Sequence, residues 1–256
     1  MENIKLKGSK NIRDLGGIKS ENGTVKNGAF LRGSHLQQLT DKDIKILIDQ
    51  YNVTAILDLR SSREVMERPD VSIPDTIYRH YPIFGGAVKG ITHERATEKA
   101  ESSSKQSSMA ALYEEMVSEK YSDNLKRIFT FILNRKAADG ALLFHCSEGK
   151  DRTGIVAMIL LWLLNVPKDE IMQDYLYTNT INEKKAKKSF FLINLFQGDK
   201  EHAENVRDAY LAKEEYLTAA IDKIENDWGN AENFVHKALG IDNQVIENFR
   251  KEFLNA

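Results

Sequence analysis

Apolar positions recur along this chain with two different periods. In DKDIKILIDQ (41–50), Ile44, Leu47 and Ile48 share one helical face, and Thr40 or Asp41 stands where an N-cap belongs. The spacing predicts a helix that feeds a buried strand at Val53 to Leu57, ending in the polar turn of YNVTAILDLRSS. TIYRHYPI (76–83) is a second strand candidate. A helical pattern follows from about Ser107 to Ala138, with a break near Ser118 to Asp123. Asp139-Gly140 then turns the chain into ALLFHC, a third buried strand. Ile155 to Leu164 is an unbroken apolar run of ten residues. A membrane span needs about twenty, so the run reads as a buried helix. From about residue 204 the pattern is helical to the end, with a break at Trp228-Gly229 and a stop at Gly240.

Strands alternating with helices predict an α/β fold, a largely parallel central sheet flanked by helices. No internal repeat or clear linker divides the chain, so residues 1–256 read as one domain with two insertions. Residues 85–108 are polar, periodless and bounded by glycines and serines, which suggests either a mobile loop beside the fold or plain disorder. Residues 181–205 are the second insertion, a helical, lid-type segment. Within it INEKKAKKSFFLINLFQG sets four lysines against a phenylalanine-rich run. Either its apolar face packs on the domain, or it forms a lid or interfacial helix over the site.

Composition narrows the function classes. Apolar residues at 41% and charged residues at 29% are ordinary for a soluble globular protein. A formal charge of −2 argues against general affinity for nucleic acid or an anionic membrane. The single cysteine excludes an intrachain disulfide and a multi-cysteine zinc site. The first residues contain no apolar core of a secretory signal, so the expected compartment is the cytoplasm; secretion is the alternative if a leader has been removed.

That one cysteine lies in HCSEGKDRTG (145–154), between the ALLF strand and the apolar helix. In open α/β sheets, ligands bind where strands end and helices begin. A thiol is a nucleophile only as thiolate. The N-terminus of the following helix and the guanidinium of Arg152 both favour that form, and both favour a tetrahedral phosphate. Five residues between Cys146 and Arg152 let backbone N–H groups converge as a phosphate nest. Gly149 removes a Cβ where the chain turns sharply, Gly154 permits close helix packing, and Thr153 can offer its hydroxyl to the thiolate or cap the helix. A nucleotide-binding P-loop is excluded, since Phe144 stands at its first glycine and Asp151 at its hydroxyl position.

The loop resembles the Cys-x5-Arg signature of the cysteine-dependent protein tyrosine phosphatases. More narrowly it is similar to an atypical bacterial branch with His-Cys-x-x-Gly-Lys-Asp-Arg-Thr-Gly, acting on phosphotyrosine and in several cases on phosphoinositides. NIRDLGGI (11–18), GAFLRGSHLQQLT (28–40) and AILDLRSSREVMERPD (55–70) resemble that branch's N-terminal half, and Tyr216 to Gly240 its C-terminal helices. The resemblance implies a tyrosine-phosphatase-like fold and a phosphomonoester hydrolase working through a phosphocysteine, with no metal and no cofactor. The substrate implied is a phosphotyrosine protein or a phosphoinositide, without nucleic acid or stable membrane insertion, though with transient membrane-surface contact. A non-catalytic phosphate-recognition module is the alternative.

By the same resemblance Cys146 is the nucleophile, Arg152 binds phosphate and stabilises the transition state, and Asp151 is the general acid. Ser147, Glu148, Gly149, Lys150, Asp151 and Arg152 form the phosphate site, with His145, Thr153 and Asp58 in support. Asp151 has a helix N-cap as its bland alternative. Asp58 is either a second candidate acid or one half of an ion pair with an arginine. Lys150 is either a second cation for lipid headgroups or a solvated lysine, and Glu148 replaces the branch's usual small residue. Arg13 and Asp14 are expected to pair and brace the loop.

Overall fold

The computed structural model describes residues 3–84 and 105–255. Within them the elements are β1 (Arg13–Asp14), β2 (Lys19–Ser20), β3 (Gly23–Val25), β4 (Phe30–Gly33), α1 (Asp41–Lys45), β5 (Val53–Asp58), α2 (Ser62–Glu67) and β6 (Ile77–His80). After the undescribed residues come α3 (Lys105–Met116), α4 (Ser122–Leu133), β7 (Ala141–His145), α5 (Asp151–Leu163), α6 (Lys168–Gln197), α7 (Lys200–Tyr210), α8 (Glu214–Trp228), α9 (Asn243–Phe253) and β8 (Leu254–Asn255).

The main sheet has the order β1-β4-β7-β5-β6. Its last four strands run parallel, and β1 is antiparallel to β4. The largely parallel sheet expected from the sequence is therefore present. Register sets the site: Gly33 and Asp58 both face His145, and Asp58 also faces His80. Four strands thus end level, and the loop after His145 leaves from the middle of that edge. β2, β3 and β8 form a small antiparallel sheet that pins the C-terminal residues against Gly23–Val25.

Strand alternation sorts the core onto the two faces. Leu142 and Phe144 pack with α5, whose residues from Asp151 to Leu161 are all buried, whereas Ala141 and Leu143 join Ile12, Leu31, Leu47 and Ile56 opposite. The α1 start follows its local signal. Thr40 accepts from the Asp43 N–H and Asp43 answers at the Thr40 N–H, a capping box that satisfies two orphan donors. The helix expected over 107–138 is α3 and α4, broken by a turn at Glu119–Tyr121. Strands β4 and β1 were not expected from periodicity, because β4 is four residues long and carries Arg32 in its middle.

The expected mobile loop over 85–108 falls mostly outside the described residues, and its last four already belong to α3. The 181–205 segment is the far half of the 30-residue α6 and the start of α7, folded back at Gly198 in the left-handed conformation (φ 63°). Its apolar stripe does not return to the domain: Phe191 is 63% exposed and Phe196 79%. No helix among the described residues is long and apolar enough to cross a membrane.

Candidate active site

His145 closes β7, and the next residues turn over into α5 at Asp151. Gly149 has φ +66°, and a Cβ there would lie 2.5 Å from the Gly33 carbonyl carbon, so the turn excludes every side chain. At Gly154 an added Cβ would meet the Tyr175 ring at 3.1 Å, which is the close packing expected of it.

The loop's carbonyls are held from outside. His35 N–H donates to Ser147 O (3.3 Å), Asn11 Nδ2 to Glu148 O (3.3 Å) and Gly149 O (3.1 Å), and Arg32 Nη2 also to Gly149 O (3.1 Å). In a trans peptide the N–H points opposite to its C=O. Fixing those three carbonyls therefore turns the N–H groups of Glu148, Gly149 and Lys150 away from the braces. α5 begins with Lys150 at its N-cap and no side-chain cap, so its first donors are left for a ligand. Cys146, 2% exposed, sits within this arrangement.

The bracing differs from the expected Arg13–Asp14 pair. Arg13 Nε binds Asp174 Oδ1 at 2.8 Å, its Nη2 donates to Asp174 O at 2.7 Å and its Nη1 to Asn11 Oδ1, while Arg32 Nη1 takes Asp174 Oδ2. Burial and the like charge of Arg32 draw Arg13 down to about 10, and the two guanidinium groups hold Asp174 low against its own burial. Asp14 instead accepts from the Gly16 and Gly28 N–H groups. Thr153 donates to Gly33 O at 3.5 Å, which ties the helix to β4, and it does not cap the helix, whose N-cap is Lys150.

Arg152 is 3% exposed. Its Nη1 and Nη2 bind Glu64 Oε2 and Oε1 at 2.6 and 2.8 Å, and Ser147 Oγ donates to the same carboxylate at 2.5 Å. Burial disfavours the guanidinium charge, but Glu64 and Cys146 outweigh it. The Nε–H is buried and has no partner among the described residues. Sequence reading passed over Glu64; Ser61-x-x-Glu64 signals only the capping box that starts α2, which is also formed.

Asp151 is the first residue of α5, so it is not the N-cap. Its Oδ1 accepts from the Tyr113 hydroxyl at 2.6 Å and lies 3.3 Å from Lys150 Nζ. Lys150 is neither solvated nor turned toward an incoming headgroup. It is fully buried and donates to the carbonyls of Ala209 and Leu211 at 2.7 and 3.1 Å, which leaves its backbone N–H to the loop. Glu148 pairs with Lys185 of α6 at 3.1 Å.

His145 lies behind the loop, buried, with Nε2 3.0 Å from Asp70 Oδ2. Burial opposes its charge, yet Asp58 and Asp70 together raise it above an ordinary imidazole. Asp58 is fully buried, bound by Arg60 Nη2 (2.7 Å) and the Tyr78 hydroxyl (2.8 Å). Despite its burial, His145 and Arg60 hold it well below the carboxylate range. It is the ion-paired carboxylate, not one poised to give a proton. Asp58, Asp70 and His145 have donor atoms within 4.8 Å of one another, but Arg60 Nη2 already bridges both carboxylates where a cation would sit.

Glu64 gives a direct test of this geometry. Burial raises a carboxyl, but Arg152 and Ser147 together bring Glu64 from its ordinary 4.5 to about 2. Glu64→Gln is expected to cost about 2 kcal/mol at neutral pH, less than a fully buried pair because Glu64 keeps 20% of its side chain exposed. A depressed pKa gives stability that is present above 4.5 and lost as pH falls towards 2, so the deficit should shrink across that window. Denaturant unfolding at several pH values measures it, and inorganic phosphate should stabilise the variant more than the parent.

Residues 4–255 match the profile of the tyrosine phosphatase family. The chain is 29% identical over 227 residues to a tyrosine-protein phosphatase of Nostoc commune, covering 87% of this chain and 73% of that protein. It is 28% identical to the triple specificity protein phosphatase PtpB of Mycobacterium tuberculosis, covering 96% of each. A crystal structure of PTPMT1 in complex with PI(5)P aligns with 78% of this chain and 92% of its own, at 11% identity and a TM-score of 0.32. The match runs over nearly the whole chain and takes in the cysteine loop, its arginine and the strands that brace them: the chain belongs to the tyrosine phosphatase family.

Proposed function

We propose that the chain hydrolyses phosphate monoesters of tyrosine-phosphorylated proteins through a phosphocysteine. One observation carries the reading: Arg152 has two nitrogens fixed by Glu64 and a third, Nε, buried and without a partner among the described residues, beside the uncapped start of α5. A buried donor without an acceptor is costly, and a phosphoryl oxygen would relieve it. Cys146 attacks phosphorus, Asp151 protonates the leaving oxygen, and the Asp151 carboxylate then takes a proton from the water that releases phosphate. A binding module needs only the nest and the arginine, so the full thiol–acid–arginine set speaks for turnover. Thiol chemistry suits a reducing compartment such as the cytoplasm. Phosphate release from phosphotyrosine peptides in the presence of a chelator tests the reading. No release from any phosphotyrosine or aryl phosphate would overturn it.

Phosphoinositides are the second substrate class. The pairing of Glu148 with Lys185 offsets the carboxylate that counts against a polyanion, and the exposed Phe191 and Phe196 lie on the same helix. Replacing Lys184, Lys185, Lys187 and Lys188 by glutamine is expected to lower activity on nitrophenyl phosphate and on phosphoinositide vesicles alike, because the Lys185–Glu148 pair that ties α6 to the loop is removed. A loss confined to vesicles would instead assign the segment to a membrane surface.

A further inference from the structure

Two tyrosines stand behind the proposed acid. Tyr113 of α3 and Tyr175 of α6 are both buried, their rings edge to face at 6.1 Å, and their hydroxyl oxygens are 2.7 Å apart. Tyr113 donates to Asp151 Oδ1. A phenol has one proton. With that proton directed into the bond to the carboxylate, the Tyr175 hydroxyl must be the donor to Tyr113. Burial first, then the Asp151 charge, raises both phenols far above their usual value, so both stay protonated donors.

The partners of Asp151 gather on one oxygen. Lys150 Nζ also approaches Oδ1, at 3.3 Å, and no hydrogen bond among the described residues falls on Oδ2. The other charged or titratable groups facing this cluster are Arg152 on the same helix, Tyr216 of α8 with its ring 5.8 Å from that of Tyr113, and Arg32 beside Tyr175.

We infer that Tyr113, backed by Tyr175, is the positioning residue of the acid–base step: it holds Asp151 by Oδ1 so that Oδ2 carries the transferable proton. The inference rests on Asp151 being the acid. In the first step the S–P bond forms, the P–O bond to the leaving group breaks, and the Oδ2 proton moves to the departing oxygen. Tyr113 donates to the carboxylate that results. In the second step water oxygen bonds phosphorus, the S–P bond breaks, and a water proton returns to Oδ2.

The test is the pH dependence of kcat/KM on phenyl phosphate, a poor leaving group, and on nitrophenyl phosphate. A general acid must be protonated, so activity falls above its pKa. A donor to the carboxylate lowers that pKa, and removing it raises it. Tyr113→Phe is therefore expected to move the falling limb up by about one pH unit, the worth of one hydrogen bond to a charged group. It should also lose roughly tenfold in kcat on phenyl phosphate and little on nitrophenyl phosphate. Tyr175→Phe should move the limb the same way by less, which guards against a packing defect peculiar to one site. Asp151→Asn separates the two layers. A limb that persists in that variant belongs to another group and overturns the acid assignment together with this inference. A limb that vanishes there but stays put in both tyrosine variants overturns the tyrosines' role alone.

Discussion

Cys146→Ser is expected to stop turnover, by roughly a thousandfold or more, while leaving phosphate affinity within a few-fold of the parent. The serine hydroxyl would occupy the same place but ionises far less readily than a thiol, so it cannot attack phosphorus at a useful rate. The binding elements are all elsewhere: the loop N–H groups, turned inward by His35, Asn11 and Arg32, and the buried Nε–H of Arg152. Calorimetric titration with a phosphotyrosine peptide, beside a phosphate-release assay, separates affinity from turnover. Mass spectrometry of rapidly quenched parent enzyme should find the phosphoryl group on Cys146. Substantial turnover by the serine variant would remove the covalent intermediate from the mechanism.

Asp151→Asn should lose roughly a hundredfold or more on substrates whose leaving oxygen needs a proton, such as phosphoserine or phenyl phosphate. Nitrophenyl phosphate, whose leaving group departs as the anion, should lose much less. The contrast is the diagnostic, because a fault in loop folding would depress both substrates equally. Asp58 is no ready substitute. Its carboxylate is wrapped by Arg60 and Tyr78 behind the loop and kept ionised by Arg60 and His145. Equal, small losses on both substrates would therefore move the proton to a group outside the HCSEGKDRTG loop.

The loop, its strand and its helix were legible because their signals are local. Ten contiguous residues hold the thiol, the turn glycine and the arginine, and the apolar runs on either side mark what precedes and follows. The same holds for Thr40, whose partner Asp43 lies one helical turn away. Nearest neighbours also misled. Arg13 and Asp14 are adjacent in sequence, but consecutive side chains on β1 point to opposite faces, so they cannot brace one another.

What the sequence determined by itself was the reacting set and the strand–loop–helix that presents it, since turn chemistry and periodicity act over a few residues. Only the tertiary structure decided what holds that set in place. Glu64 reaches Arg152 across 88 positions, Asp174 reaches Arg13 across 161, and Tyr113 reaches Asp151 across 38. The charge of Lys150 suggests a headgroup-binding cation or a solvated lysine, and it is neither, because the carbonyls of Ala209 and Leu211 hold it in the interior. Such partners are chosen by which strands align and which helix ends meet. That choice belongs to the packing of the whole domain, because a buried charge must find its partner wherever the fold brings one.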